Sequence, residues 1–562
     1  MKTSLNHSIP FYRKTLSISL ALAAPLIFAG NALAIGLNEI TALTIKNSPQ
    51  IMTAGIDVKL KGADVDIAHK LFGPKIESSY TNTNSGGFGY PKELESLSLA
   101  SLTGGAVPSP SFLPDNIRTE DFNLALKNIF TNGIYTELGV SFSQRDAEKD
   151  RLNASAAVAA LNNGGMGASI NDYFPVTAGV LKFVIRVPLW GRGDLAEAIG
   201  DYESKKLRYE AAMANMNHAI SSTLANAVYA YWDNQAAVSK YQLRKESVER
   251  VERWVAKVDE VINGMPNPAG VRTQFATDLN RIDGFMKEKR KDLTNAKTDL
   301  DQSRANLANA IGVPLSKAVS MGDATDAPPD PNSINTSLVD AKAWHDRALS
   351  SRLDIQALKL EDKAADEFLM WMTDYAKPEL NVIAALHQQR ANFGNGSNGS
   401  LSNIWSAANS PSGHLGTTIG LQMNWILDKT AAKGRITQAT LNKMKNKISL
   451  DGTIRKVEVD LKGLADKVSG TLNTVQAATQ SAKAYQESVK AAQTDKSQTF
   501  AAVFRQLEIE RDWINAEADR INALATLGKV VVEVRHQTAT LVERTDDSSQ
   551  VKLGDIVTLP AK

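Results

Sequence analysis

The run from Asp194 to Asn263 contains no proline. As a helix it extends about 100 Å at 1.5 Å per residue. Apolar residues step along it by threes and fours: Met213, Met216 and Ile220, then Val248, Val251, Val255, Val258 and Ile262. The run stops at Gly264-Met265-Pro266-Asn267-Pro268-Ala269-Gly270. On the return, Phe275, Leu279, Ile282, Met286, Leu293, Ala296, Leu300 and Leu307 keep the rhythm. Such seams predict an antiparallel coiled-coil hairpin, with small residues allowing close approach. A helix this long and this polar has no core of its own. It needs partners along its whole length, from its own hairpin and from other chains.

The chain reads twice through one plan: short helix, strand, polar loop, strand, long helix out, long helix back. In the first pass a helix at about 37–71 ends at Gly73-Pro74; in the second, a helix at about 336–375 ends at Lys377-Pro378. Gln50-Ile51 precedes Pro74 by the same interval as Asp354-Ile355 precedes Pro378, which points to internal duplication. The second hairpin carries Leu461, Leu464, Val468, Leu472 and Val475 outward, then Val503, Leu507, Ile514, Ile521 and Leu524 on the return, with a turn near Gln493–Thr499. A proline-rich joint, Pro328-Pro329-Asp330-Pro331, separates the halves. The expected organisation is a leader at 1–34 and a first repeat at 35–330 containing a hairpin at 194–312. A second repeat at 331–542, with its hairpin at 429–542, and a polar tail at 543–562 follow.

Strands are expected where apolar and polar residues alternate. Ile134, Thr136, Leu138, Val140 and Phe142 form one such segment, and Leu181, Phe183, Ile185 and Val187 another. In the second half, Leu380, Val382, Ala384 and Leu386 are followed by Ile419, Leu421, Met423 and Trp425. Segments about ten residues long with one wet and one apolar face suit a membrane barrel; they also suit a half-buried soluble sheet. Two strands per half gives about four per chain, or six if the hairpin around Thr131-Asn132-Gly133 also spans. The smallest membrane barrels have eight strands, and an open edge cannot face lipid. A spanning sheet therefore requires several copies of the chain.

Residues 1–34 have the layout of a secretory signal: Lys2, Arg13 and Lys14, an apolar run from Ser17 to Phe28, and Ala32-Leu33-Ala34 as the cleavage site, with cleavage after Ala34. Of 63 Lys+Arg and 61 Asp+Glu, the leader holds three basic residues and no acidic one, so the remainder is near neutral. That argues against a nucleic-acid partner. With no cysteine, disulfides, thiolate metal sites and a lipidated N-terminal cysteine are excluded. The 7 His are scattered without a His-x-x-x-His pair, and no nucleophile elbow, phosphate loop or dinucleotide fingerprint stands in a usable context. No catalytic residue, cofactor or metal site is expected.

Taken in order, Leu37-Asn38-Glu39-Ile40 with Asn47-Ser48-Pro49, then Phe72-Gly73-Pro74, resemble the TolC-like outer-membrane efflux protein family. So do Val187-Pro188-Leu189-Trp190-Gly191-Arg192-Gly193, Ala310-Ile311-Gly312-Val313-Pro314 and Ser351-Arg352-Leu353-Asp354-Ile355. The resemblance covers nearly the whole chain after the leader. It implies an α+β membrane protein: a homotrimer whose pooled strands form a twelve-stranded barrel in outer-membrane lipid, continued by a helical tunnel in the periplasm. It also implies docking to a periplasmic adaptor (a membrane fusion protein) and an inner-membrane transporter, for efflux or type I secretion. Three departures stand out. The second half reads Asn424-Trp425-Ile426-Leu427 where the first has Pro188-Leu189. There is an extra strand pair near 121–144. The stretch after the second turn lacks the family's acidic pair.

From these readings come the candidate residues. Gly264, Pro266, Pro268 and Gly270 form the candidate docking tip, the two glycines being expected to lend special backbone freedom. Asp495, Gln498, Phe500, Phe504 and Arg505 form the candidate gate, with Phe500 and Phe504 as apolar constrictions or as seam residues. Arg352 and Asp354 are expected to cap a helix, and Trp190 and Trp425 to lie at the barrel's end. The competing reading is an exported coiled-coil scaffold or adhesin without a pore; paired alternating segments joined by polar loops argue against it.

Overall fold

The computed structural model describes residues 35–86, 116–147, 176–317, 322–393, 414–425, 427–494, 500–544, 551–553 and 556–560. The leader with Ala34 lies outside the described residues. In order, the elements are α1 (Leu37–Asn47), α2 (Pro49–His69), β1 (Gly73–Gly86), β2 (Asn116–Ile129), β3 (Tyr135–Ala147) and β4 (Val176–Trp190). The first hairpin follows as α3 (Asp194–Asn263), α4 (Pro268–Gln274) and α5 (Ala276–Ile311). The second half supplies α6 (Ala341–Ser351), α7 (Leu353–Tyr375), β5 (Glu379–Phe393), β6 (His414–Asn424), α8 (Thr430–Thr494), α9 (Phe500–Gln537), and the short strands β7 (Val542–Arg544) and β8 (Val551–Leu553). They form two compact units. One comprises Met1–Lys61, Arg208–Asp362 and Asn446–Lys562; the other comprises Gly62–Leu207 and Lys363–Lys445.

In the helical unit the heptad residues do what their spacing predicts. Val248, Val251, Ile262, Ile282, Met286, Leu300 and Leu307 are buried, as are Leu461, Leu464, Val468, Val475, Leu507, Ile514 and Ile521. Helix α9 buries two faces. Ile514, Ile521 and Val532 join a cluster with Leu224, Tyr231 and Trp232 of α3, whereas Leu527, Val530 and Val534 join one with Trp344, Ile355 and Leu461. This explains the unbroken apolar run Val530-Val531-Val532. The C-terminal segment shares in both cores through Ile556 and Leu559.

The two helices expected at 37–71 and 336–375 are each broken in two. Ser48 leaves the helical region because proline disfavours helical backbone in the residue before it. Arg352 does so without a proline; its guanidinium instead reaches forward to both carboxylate oxygens of Asp354, at 3.0 and 2.7 Å, and to Gln537 Oε1. The capping role expected for this pair is therefore a break between α6 and α7. Helix α5 stops at Gly312, whose φ of 79° is left-handed. A side chain there would meet the Asn47 carbonyl oxygen at 2.6 Å.

The second unit is built on one antiparallel sheet of six strands in the order β1-β2-β3-β4-β5-β6. The expectation of about four strands per chain is corrected: the hairpin through Thr131-Asn132-Gly133 is a full pair of strands. β2 pairs with β1 from Asn116 to Ile129 and with β3 from Ile117 to Ile129. Its alternation is weak because Asn123, Ala125 and Lys127 share one face and Asn128 stands among the apolar residues of the other. β1, reading Ile76-Glu77-Ser78-Ser79-Tyr80, is equally mixed.

Candidate functional site: the two-faced sheet and the hairpin tips

Direct cross-strand partners share a face, so the register sorts every side chain. One row runs Ile76, Leu126, Leu138, Phe183, Leu386, Thr417; the next runs Ser78, Leu124, Val140, Leu181, Gln388, Leu415. This face is apolar and uncovered: Ile76 is 73% exposed, Ile419 83% and Leu421 74%. Leaving such a surface in water is costly at about 25 cal/mol per Å².

The opposite face is charged. Lys75 and Lys127 both reach Glu77, at 2.9 and 2.5 Å, and Lys182 reaches Glu137 at 2.8 Å. The Tyr135 hydroxyl donates to Glu137 at 2.5 Å, and the Arg186 guanidinium lies 5.2 Å above the Tyr135 ring. Small residues make room for these long side chains. A side chain on Gly139 would meet Lys182 Cε at 2.8 Å, and one on Gly416 would collide with the His387 ring.

At one end of the sheet the strand-to-helix junction is tied down. Gly191 and Gly193 take left-handed φ of 57° and 53° on either side of Arg192. That turn aims Arg192 at Asp374, at 3.0 Å, over the Trp371 ring, and at the Asn132 carbonyl of the β2–β3 turn. Trp190 and Trp425 are both about half exposed.

The first hairpin turns over a short helix. Gly264 and Pro266 are exposed between α3 and α4, and Pro268 opens α4, where a missing N–H costs nothing. The expected special freedom of the tip glycines is not what the turn uses: neither Gly264 nor Gly270 has a positive φ. Gly270 is needed for space. Its N–H donates to the Asn267 side chain at 3.0 Å, and a Cβ would lie 2.4 Å from Asn267 Nδ2. Arg272 clips the turn to Asp259 and Asn263, at 3.0 and 3.3 Å.

Several solved structures similar to this chain are outer-membrane channels. It is similar to the outer-membrane channel CmeC of Campylobacter jejuni, with a TM-score of 0.56 at 14% identity over 91% of this chain and 87% of that one. The outer-membrane channel OprN gives a TM-score of 0.54 at 14% identity over 90% of each chain. The open-state channel MtrE of Neisseria gonorrhoeae gives 0.52 at 12% identity over 91% and 93%. The chain has the TolC-like outer-membrane channel fold. No protein-family model matches the sequence, and no curated protein does.

Of the candidate gate residues, Asp495 and Gln498 lie outside the described residues, and Phe500 is placed by its backbone alone as the first residue of α9. Phe504 is half-buried against the cluster of Val251, Ile282, Met286 and Leu507, with the Arg281 guanidinium 4.4 Å from its ring. Part of its ring thus packs in this seam. Arg505, next to it, is exposed. Beside this seam the channel fold holds a polar knot that heptad reading missed. Glu510 is fully buried, 3.0 Å from Arg250, and its Oε2 has no hydrogen-bond partner. Lys289 is 2% exposed, and burial holds its ammonium below the ordinary lysine range. Charges at these positions read in sequence as solvated faces. Among the described residues, no group of three or more His, Asp or Glu is placed to hold a metal ion.

Proposed function

We propose that this protein is the outer-membrane channel of a tripartite efflux or type I secretion system in a Gram-negative bacterium, a homotrimeric conduit that catalyses no reaction. The observation that carries the reading is the sheet with one largely apolar, uncovered face and one charged face. Such a sheet is satisfied with its apolar side in lipid and its charged side around water. Exposed apolar stripes on helices support assembly: Met52, Ile56, Leu60 and Ile67 on α2, and Leu441, Met444, Ile448 and Val459 on α8.

In this reading the chain is two repeats, 35–330 and 331–542, after a cleaved leader and before a tail at 543–562. The turn bearing Gly264, Pro266, Pro268 and Gly270, and the segment near Gln493–Thr499, meet a periplasmic adaptor, which couples the duct to an inner-membrane transporter. A constriction at Asp495 to Arg505 belongs to the same proposal, with Phe504 held in the hairpin seam.

The test is fractionation and cross-linking of the full-length protein in a Gram-negative host. The expected result is a heat-dissociable trimer in the outer membrane, beginning near Ile35, that passes ions in planar bilayers. A soluble monomer, or a membrane protein without conductance, rules the channel out.

A further inference from the structure

The pooled barrel this reading needs is set by how many strands each chain contributes, and the sheet contributes six, all antiparallel. Each strand of the added hairpin is long enough to span. β2 has 14 residues and β3 has 13. At about 3.3 Å per residue and a tilt near 40°, either rises roughly 33–35 Å, more than the ~25 Å apolar band of a membrane barrel. The apolar row passes through them without a gap, since Leu126 and Leu138 stand between Ile76 and Phe183. The charged row passes through them as well: Lys127 and Glu137 lie between Lys75 and Val184, and both are ion-paired across strands. Nothing distinguishes this hairpin from the strands that flank it.

The two sheet edges are β1 and β6. With an even number of antiparallel strands, β6 of one copy runs antiparallel to β1 of the next, so the edges are complementary in direction. The helix that leads into β1 and the helix that follows β6 are α2 and α8, the same two that carry the exposed apolar stripes. In the chain, each edge strand thus adjoins a helix with an uncovered apolar stripe.

We infer that a second copy of this chain occupies each side, α2–β1 of one meeting β6–α8 of the next, and that three copies close an eighteen-stranded barrel. The inference rests on the trimeric channel reading. With strands 4.8 Å apart and tilted 40°, eighteen strands give a backbone diameter of about 36 Å, against about 24 Å for twelve. The lumen is that of a general porin.

Two measurements decide it. Electron cryomicroscopy of the trimer in lipid nanodiscs is expected to show eighteen strands, with β6 beside β1 of the neighbour. Because the chain has no cysteine, Ser78→Cys in β1 can be combined with a cysteine scanned along His414–Asn424 in β6. Four strands separate these edges within one chain, so a disulfide forms only between copies, and at least one scanned position is expected to give a covalent trimer. A variant lacking residues 116–147 joins β1 to β4, which remain antiparallel, and is expected to close with twelve strands and a barrel about a third narrower. A wild-type membrane trimer with twelve strands, or one in which no scanned position cross-links, overturns the eighteen-stranded barrel alone. A wild-type protein that is not a membrane trimer overturns the channel reading with it. Should the deletion variant fail to assemble, the wild-type count still decides.

Discussion

At Ser48 the chain leaves α1 with φ −65° and ψ 122°; at Arg352 it leaves α6 with φ −67° and ψ 126°. Each break follows a helix of 11 residues and precedes one of 21 or 23. Ile51 and Ile355, three residues after each break, are both buried. The backbone is the same and the chemistry is not. The first break is local, made by Pro49 at the start of α2. The second is made by a buried guanidinium holding Asp354 and Gln537, beside the His218 and His536 rings, whose centroids are 5.3 Å apart. One backbone geometry can therefore be fixed by restriction of φ and ψ or by a polar network. Only the network is sensitive to charge.

Three experiments break or sharpen that contrast. The largest effect is expected from Arg352→Ala, which leaves Asp354 and Gln537 without their partner and costs about 3–5 kcal/mol. Pro49→Ala, which removes only a local restriction, is expected to cost under ~1 kcal/mol. Denaturant unfolding of the two variants in detergent, followed by circular dichroism, gives the difference; equal losses would mean the breaks are held alike.

The second concerns pH. Burial first, then the neighbouring His218 and Arg352, push the His536 imidazole down to about 4, and burial lowers His218 as well. Ser221, at 2.9 Å from His536 Nδ1, and Asp354, at 3.8 Å from His218 Nδ1, complete the surroundings. The unfolded state binds the proton more readily, so this stability is fully present above about pH 6.5 and is lost as pH falls toward 4. The loss is on the order of 3 kcal/mol. His536→Gln is expected to flatten the unfolding curve in that window. A slope unchanged in the variant would assign the pH dependence elsewhere.

The smallest effect compares the hairpin ends. Gly312 after α5 and Ala539 after α9 both have left-handed backbone, at φ 79° and 56°. Gly312→Ala is expected to destabilise by about 1–2 kcal/mol from backbone strain, and further by its collision with Asn47; Ala539→Gly is expected to stabilise by up to about 1 kcal/mol. Effects of the same sign at the two positions would show that they do not share a role.

The long helices were legible because absence of proline and a three-four rhythm are properties of sequence alone. Three of the six strands, β4, β5 and β6, were legible for the same kind of reason, and β3 through its Leu138-Val140-Phe142 alternation. β1 and β2 show no such alternation, β2 being expected only as half of the extra pair near 121–144, because on a wet face charged residues such as Lys75 and Lys127 alternate with serine, asparagine and alanine, which leaves little apolar contrast. The candidate site was legible less evenly. The tip was located by its prolines, yet the use of Gly270 depends on the Asn267 cap, which exists only once the chain turns. Whether Phe504 faced a seam or a pore depended on which helices pack beside α9, and spacing within one helix does not carry that information.

The cross-strand ion pairs on the charged face have a further consequence for transit. Glu77 draws two lysine ammonium groups onto one carboxylate, and Glu137 holds Lys182 flat across Gly139. With the proposed lumen on that side, Glu77 and Glu137 each hold a lysine ammonium within 3 Å, and the side chains of these pairs lie along the wall. A dissolved ion or molecule passing there meets a shallow energy surface, with neither a deep well to detain it nor a high barrier to turn it back. Residence at the wall is then brief, and movement through the barrel approaches free diffusion.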